Sequence, residues 1–142
     1  MLKRFLLTVA LLSVLIVPAN SADISISLNP NDAGAYNNRG IAKYELGRYF
    51  EAIQDYDKAI SLYPNLASAY LNRGLAKAYL GRYFEAIQDF DKAISLDSNV
   101  AEAYNNRGLA KLNLDQYPEA IQDYDKAISL DTNDAEAYNN LR

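Results

Sequence analysis

Asp55 and Asp57, repeated as Asp89 and Asp91 and again as Asp123 and Asp125, come closest to a catalytic or metal-ligating set in this sequence. Closely spaced carboxylates serve acid–base catalysis and bind hard cations. Residues two apart on a helix diverge, however, and three identical copies are what a structural face produces. Lys58, Lys92 and Lys126, each three residues after the first Asp of its pair, predict ordinary surface ion pairs. Composition removes most of the remaining chemistry, because the 142 residues contain no Cys and no His. Without them there are no disulfides, no thiol or imidazole nucleophiles and none of the usual zinc or haem ligand sets. The expectation is a protein without enzymatic activity, cofactor or metal site.

The carboxylates belong to a unit of 34 residues. Residues 33–66, 67–100 and 101–134 align without a gap, and 22 of the 34 positions are the same residue in all three copies. A fourth copy begins at Ala135 and stops at Arg142, so residues 135–142 form a partial unit or incomplete cap. Upstream, residues 22–32 resemble the tail of a preceding unit, since Ile26-Ser27-Leu28-Asn29-Pro30-Asn31 echoes Ile60-Ser61-Leu62-Tyr63-Pro64-Asn65.

Each copy reads as two antiparallel helices. Ala35, Arg39, Ala42 and Leu46 share one stripe of a first helix, and Ala52, Ile53, Tyr56, Ala59 and Ile60 form the apolar stripe of a second. Asp55 and Lys58 fall outside that stripe. Gly47 and Gly81 supply the left-handed residue that ends the first helix, with Asp115 as a tolerable substitute. Pro118 stands at the start of a second helix, where its missing N–H costs nothing. Glu51, Glu85 and Glu119 suit the positive end of the helix dipole in the first turn. Asn65, Asn99 and Asn133 are placed to cap the helices that follow. Gly40, Gly74 and Gly108, with Ala52, Ala86 and Ala120, allow the paired helices to approach closely.

This pattern resembles the tetratricopeptide repeat. The family's signature positions are matched by Tyr36, Gly40, Ala52, Tyr56 and Ala59, and by their equivalents Tyr70, Gly74, Ala86, Phe90 and Ala93 and Tyr104, Gly108, Ala120, Tyr124 and Ala127. The closing Pro appears once, as Pro64. Two departures recur, since Arg39, Arg73 and Arg107 and Lys43, Lys77 and Lys111 stand where the family has Leu and Tyr. Their stems can cover apolar surface, with Asp55 or Asp57 of the partner helix as counter-ion. The resemblance implies an all-α fold: an α-solenoid of antiparallel helix pairs, three units and a partial fourth, wound as a right-handed superhelix. A pentatricopeptide array would have a 35-residue period and a basic inner face, and neither is present.

The resemblance also puts the first helices on the concave side and implies a non-enzymatic scaffold that binds a peptide or partner protein there. The groove residues are then Asn37, Asn38 and Ile41, Leu71, Asn72 and Leu75, and Asn105, Asn106 and Leu109. The same helices present Tyr44, Tyr79 and Asn113 on that concave side as well. A row of amides offers donors and acceptors to an extended peptide backbone. Family members that grip chaperone C-termini use Lys, Asn, Asn, Lys and Arg at the places here occupied by Asn37, Ile41, Asn72, Glu102 and Asn106. Only Asn72 matches, and Glu102 repels a carboxylate, so no such clamp is expected. Most of the twelve tyrosines return every 34 residues where helices pack, so they read as scaffold. The alternative is a truncated or end-to-end stacking piece of a larger assembly. It rests on the apolar strip of Ala120, Ile121, Tyr124, Ala127 and Ile128, which an eight-residue stub is too short to hide.

Residues 1–21 read as a secretory signal peptide. Lys3 and Arg4 precede an apolar run over residues 5–17, broken by Thr8 and Ser13, and Pro18 stops it well short of the roughly 20 residues needed to span a bilayer. Small residues at Ala19 and Ser21 favour cleavage after Ser21, and without a Cys there is no lipid-modified anchor. The expected location is secreted or periplasmic, free of the membrane after cleavage. Loss of Lys3 and Arg4 takes the formal charge from −4 to −6, which disfavours nucleic acid as a partner.

Overall fold

The computed structural model describes residues 21–131, and every element among them is a helix. In chain order these are α1 (Ser21–Leu28), α2 (Ala33–Glu45), α3 (Tyr49–Leu62), α4 (Ala67–Tyr79), α5 (Tyr83–Leu96), α6 (Ala101–Leu112) and α7 (Tyr117–Leu130). The pairs α2–α3, α4–α5 and α6–α7 are the three repeats, and each pair packs on the next through α3 against α4 and α5 against α6. First helices also touch one another, α2 with α4 and α4 with α6, whereas among the described residues the second helices do not. The array therefore curves with α2, α4 and α6 on its inner side. The signal segment and the partial fourth unit, Asn133 included, lie outside the described residues, apart from Ser21.

The tight turn inside each pair follows from one backbone conformation. Gly47 and Gly81 take φ of 72° and 73°, and Asp115 takes φ of 60° at the same place. A left-handed residue there reverses the chain within three residues in the first two pairs and four in the third, and Asp tolerates it better than most side chains. Pro118 occupies the first turn of α7, and Glu51, Glu85 and Glu119 occupy first turns as expected. The caps predicted at Asn65 and Asn99 are not formed. α4 and α6 begin after Leu66 and Val100 with no side-chain cap, because the turns after α3 and α5 each run one residue past the Asn. The side-chain cap is made at α2, where the Asp32 carboxylate accepts from the Ala35 N–H at 2.9 Å.

Small residues set the distance between paired helices. A Cβ on Gly40, Gly74 or Gly108 would lie 2.5, 2.6 or 2.8 Å from a ring carbon of Tyr56, Phe90 or Tyr124. Those rings, with Ala52, Ala59, Ala86, Ala93, Ala120 and Ala127, make a narrow core repeated three times. Ala120, Tyr124 and Ala127 are thus already buried against α6, which corrects the expectation of an exposed strip on the third copy. Ile121 remains half exposed. At the other end α1 packs on α2, and its Asp23 reaches Arg39 at 3.2 Å, as Asp57 reaches Arg73 and Asp91 reaches Arg107. α1 therefore stands in for the second helix of a preceding unit.

The second-helix carboxylates are not surface groups. Asp55, Asp89 and Asp123 are buried, inside the stripe from which the sequence reading excluded Asp55. Each accepts two hydrogen bonds from the Arg of its own repeat, at 2.6 to 2.9 Å, and one ion pair from the Lys four residues further on, at 2.7 to 2.8 Å. The pairs expected with Lys58, Lys92 and Lys126 are displaced by these partners, which reach the carboxylates from the neighbouring helix. The Arg heads likewise turn inward, with the guanidinium lying 5.4 to 5.5 Å from the ring of Tyr36, Tyr70 or Tyr104. Burial pushes the Asp55 carboxyl up, but Arg39 and Lys43 more than offset it and hold it below its ordinary value. The second carboxylates, Asp57 and Asp91, cross to the Arg of the following repeat at 2.6 and 2.7 Å. One Arg per repeat thus ties its own helix pair and the preceding one.

Candidate peptide-binding groove

The inner side of the array holds two adjoining cavities. The larger, about 630 Å³, is lined by α4 and α6 through Leu75, Ala78, Tyr79, Asn105, Asn106 and Leu109, with Tyr44, Tyr83, Phe90, Glu102, Ala110 and Asn113 completing its walls. The smaller, about 180 Å³, lies between α2 and α4 and is lined by Ile41, Tyr44, Glu45, Tyr56, Asn72 and Leu75. The larger volume lies within the roughly 300–1,000 Å³ usual for ligand clefts.

Of the predicted groove residues, Leu75, Asn105, Asn106 and Leu109 meet in the larger cavity, and Ile41, Asn72 and Leu75 in the smaller. The other placements differ. Asn37 is buried, and its Oδ1 accepts a hydrogen bond from Asn72 Nδ2 at 3.1 Å. This amide pair joins α2 to α4 across the repeat boundary, so Asn37 serves the scaffold. Asn105 is also buried and forms floor, not rim. Leu71 packs against the Ala86, Phe90 and Ala110 core. Asn38 is exposed and lines neither cavity. The groove is therefore less amide-rich than the sequence suggests.

It is more aromatic. Tyr79 stacks on Tyr49 with centroids 5.1 Å apart and planes at 20°, and meets Tyr44 edge-on at 5.5 Å. Tyr44 also meets Tyr49 at 5.3 Å. Burial, together with the neighbouring phenols, pushes the Tyr44 hydroxyl well above its ordinary range. Tyr79 remains 66 % exposed on the cavity wall, on the concave side where its helix was expected to present it, while most of the other tyrosines serve the scaffold. The signal for it lies where the copies differ. Tyr44 aligns with Ala78 and Leu112, Tyr79 with Glu45 and Asn113, and Glu102 with Gly34 and Ser68. Repetition records what the fold needs, and these unrepeated positions lie on the cavity walls.

No Lys or Arg is among the described residues lining either cavity. The first helices do carry Lys43, Lys77 and Lys111, but each is held on a buried carboxylate. The same pairing occupies those carboxylates, which leaves them unsuited to acid–base work. Among the described residues no cluster of Asp or Glu is arranged to hold a metal ion, and no helix is long and apolar enough to cross a membrane.

Comparison with known proteins agrees with this geometry. Tetratricopeptide repeat models match residues 23–54 and 101–134, and a TPR repeat model matches residues 42–81 and 76–115. A search of curated proteins finds no match. Among solved structures, the first TPR of Spaghetti (RPAP3), bound to the HSP90 peptide SRMEEVD, is 32 % identical with a TM-score of 0.76, over 78 % of this chain and 87 % of that one. The second TPR domain of human RPAP3, in complex with the HSP70 peptide SGPTIEEVD, is 30 % identical with a TM-score of 0.72, over 75 % and 88 %. MamA is 26 % identical with a TM-score of 0.79, over 85 % and 71 %. With helix pairs at a 34-residue period, glycine seats for the second-helix rings and family models spanning residues 23–134, the chain belongs to the tetratricopeptide repeat family.

Proposed function

We propose that this protein is a non-enzymatic interaction scaffold that binds a peptide segment of a partner protein on the inner face of α2, α4 and α6. The observation that carries the reading is the larger cavity, which combines apolar walls at Leu75 and Leu109 with amides at Asn106 and Asn113. An extended peptide needs both, since side-chain pockets select it and amide groups meet its backbone. The RPAP3 domains, bound to short peptides, are 30 to 32 % identical to this chain and support the class of ligand. Their acidic peptides do not transfer, because Glu102 stands in this groove where a carboxylate-gripping site needs a cation.

Twelve-residue peptides selected from a random library on the purified protein are expected to bind at about micromolar Kd, roughly 8 kcal/mol. The combined change Asn106→Ala and Leu109→Ala should weaken them ten-fold or more, and Phe84→Ala, an exposed side chain on a second helix, should not. Titration calorimetry measures both. Peptides that bind the two variants alike place the binding surface elsewhere.

The same proposal includes export to a secreted or periplasmic location, with cleavage after Ser21. This cut is supported by the array itself, because it spares Asp23 and the ion pair that Asp23 makes with Arg39. N-terminal sequencing of the exported chain should begin at Ala22. A chain that retains Met1 in the exported fraction contradicts the cleavage.

A further inference from the structure

We infer that the anchor taken by the larger cavity is a basic side chain of the bound peptide, arginine above all, held between the face of Tyr79 and the carboxylate of Glu102. This rests on the groove reading above and deepens it by naming the chemistry of the partner.

Charge is the first argument. Glu102 lines the larger cavity and Glu45 the smaller, and no described residue lining either is basic. The lysines of the same helices do not neutralise them, because Lys43, Lys77 and Lys111 are spent on Asp55, Asp89 and Asp123 at 2.7 to 2.8 Å. Among the described residues the inner face therefore presents negative charge without a counter-ion lining it. A cationic segment completes it, whereas an acidic one meets repulsion at Glu102.

Ring geometry is the second. The Tyr79 ring is backed on one face by Tyr49 and braced edge-on by Tyr44, and yet is 66 % exposed. A ring fixed in this way presents its electron-rich face at little further cost in side-chain entropy. A guanidinium is planar, stacks on such a face and offers a donor fork to a carboxylate, which a compact ammonium does less well. Its three-carbon stem suits the apolar walls at Leu75 and Leu109. A purely apolar anchor would use those walls but leave Glu102 and the ring face without a partner.

Twelve-residue peptides selected on the purified protein test the inference, followed by titration calorimetry of one Arg-bearing peptide and its citrulline counterpart. Citrulline keeps the shape and removes the charge. The selected set is expected to share an Arg at one aligned position, and citrulline there should lower affinity about ten-fold, as expected for a cation that meets an exposed ring face and a carboxylate together. Glu102→Gln should weaken the Arg peptide about five-fold and the citrulline peptide less than two-fold, and Tyr79→Leu should weaken the Arg peptide more than the citrulline one. Selected peptides that lose affinity with Asn106→Ala and Leu109→Ala but carry Leu, Phe or Glu at the anchor overturn the basic anchor and leave the groove standing. Equal losses of the two peptides on Glu102→Gln overturn it as well. Peptides indifferent to the Asn106 and Leu109 changes overturn the groove itself.

Discussion

Gly74→Val is expected to abolish cooperative unfolding of the array, and Gly74→Ala to lower its stability by a net of up to ~2 kcal/mol, with Phe90→Leu restoring part of the loss. The Cβ of any residue at position 74 would lie 2.6 Å from Phe90 Cε1 and 2.9 Å from Cδ1. Phe90 is fully buried, so any withdrawal of its ring must repack the core around it. Overpacking of this sort costs about 1–3 kcal/mol for one carbon, while alanine returns at most about 1 kcal/mol in helix propensity. The clash wins for alanine, and a β-branched residue makes it larger. Leucine at position 90 removes the ring atoms that the new carbon meets. The pair should therefore show a coupling of about 1 kcal/mol or more in a double-mutant cycle read by urea unfolding. Additive losses would show that the approach of α4 to α5 is not limited by that ring.

Asp89→Ala is expected to cost about 3–5 kcal/mol, because it strips Arg73 and Lys77 of a carboxylate buried to 5 % side-chain exposure. Asp91→Ala, two residues on, removes a partner that is 55 % exposed and pairs with Arg107 across the repeat boundary. That loss should stay under about 1 kcal/mol. The contrast between neighbouring residues of one type, measured by chemical denaturation, is the informative result. Equal costs would mean that burial of the first carboxylate contributes nothing. The pH dependence follows from Asp55, whose folded carboxyl titrates below its ordinary value of 3.8. A depressed folded value stabilises fully above the unfolded one and is lost as pH falls through the folded one. Acid unfolding should therefore begin below about pH 4.

The scaffold was legible in the sequence because each of its devices is repeated. Gly47, Gly81 and Asp115 mark the left-handed turns, and Gly40, Gly74 and Gly108 mark the close approaches. The ion network was half legible, since Arg39 and Asp55 could be paired by type but not by depth. A 3.6-residue stripe records polarity, and a carboxylate held by two cations occupies an apolar position without changing its letter. Asn37 misled for a related reason, being a polar residue at a boundary where Asn72 satisfies it. Tyr44 and Tyr79 could be placed on the concave side, but their clustering and the place of Glu102 beside them were least legible. Tyr44, Tyr79 and Glu102 interrupt the repetition, and their cluster arises from contacts between α2, α3, α4 and α6 that no single copy encodes.

These features divide the molecule. The repeated residues build three nearly identical seats, and the unrepeated ones make the stretch between α4 and α6 unlike the rest. The outer side has its own exposed apolar groups in Phe50 and Phe84, which are the natural competitor for any partner. Amide chemical-shift mapping of the protein with a selected twelve-residue peptide decides between the two surfaces. The groove account predicts that the largest shifts fall on Leu75, Tyr79, Asn106 and Leu109. Shifts concentrated around Phe50 and Phe84, with those four unmoved, would contradict it.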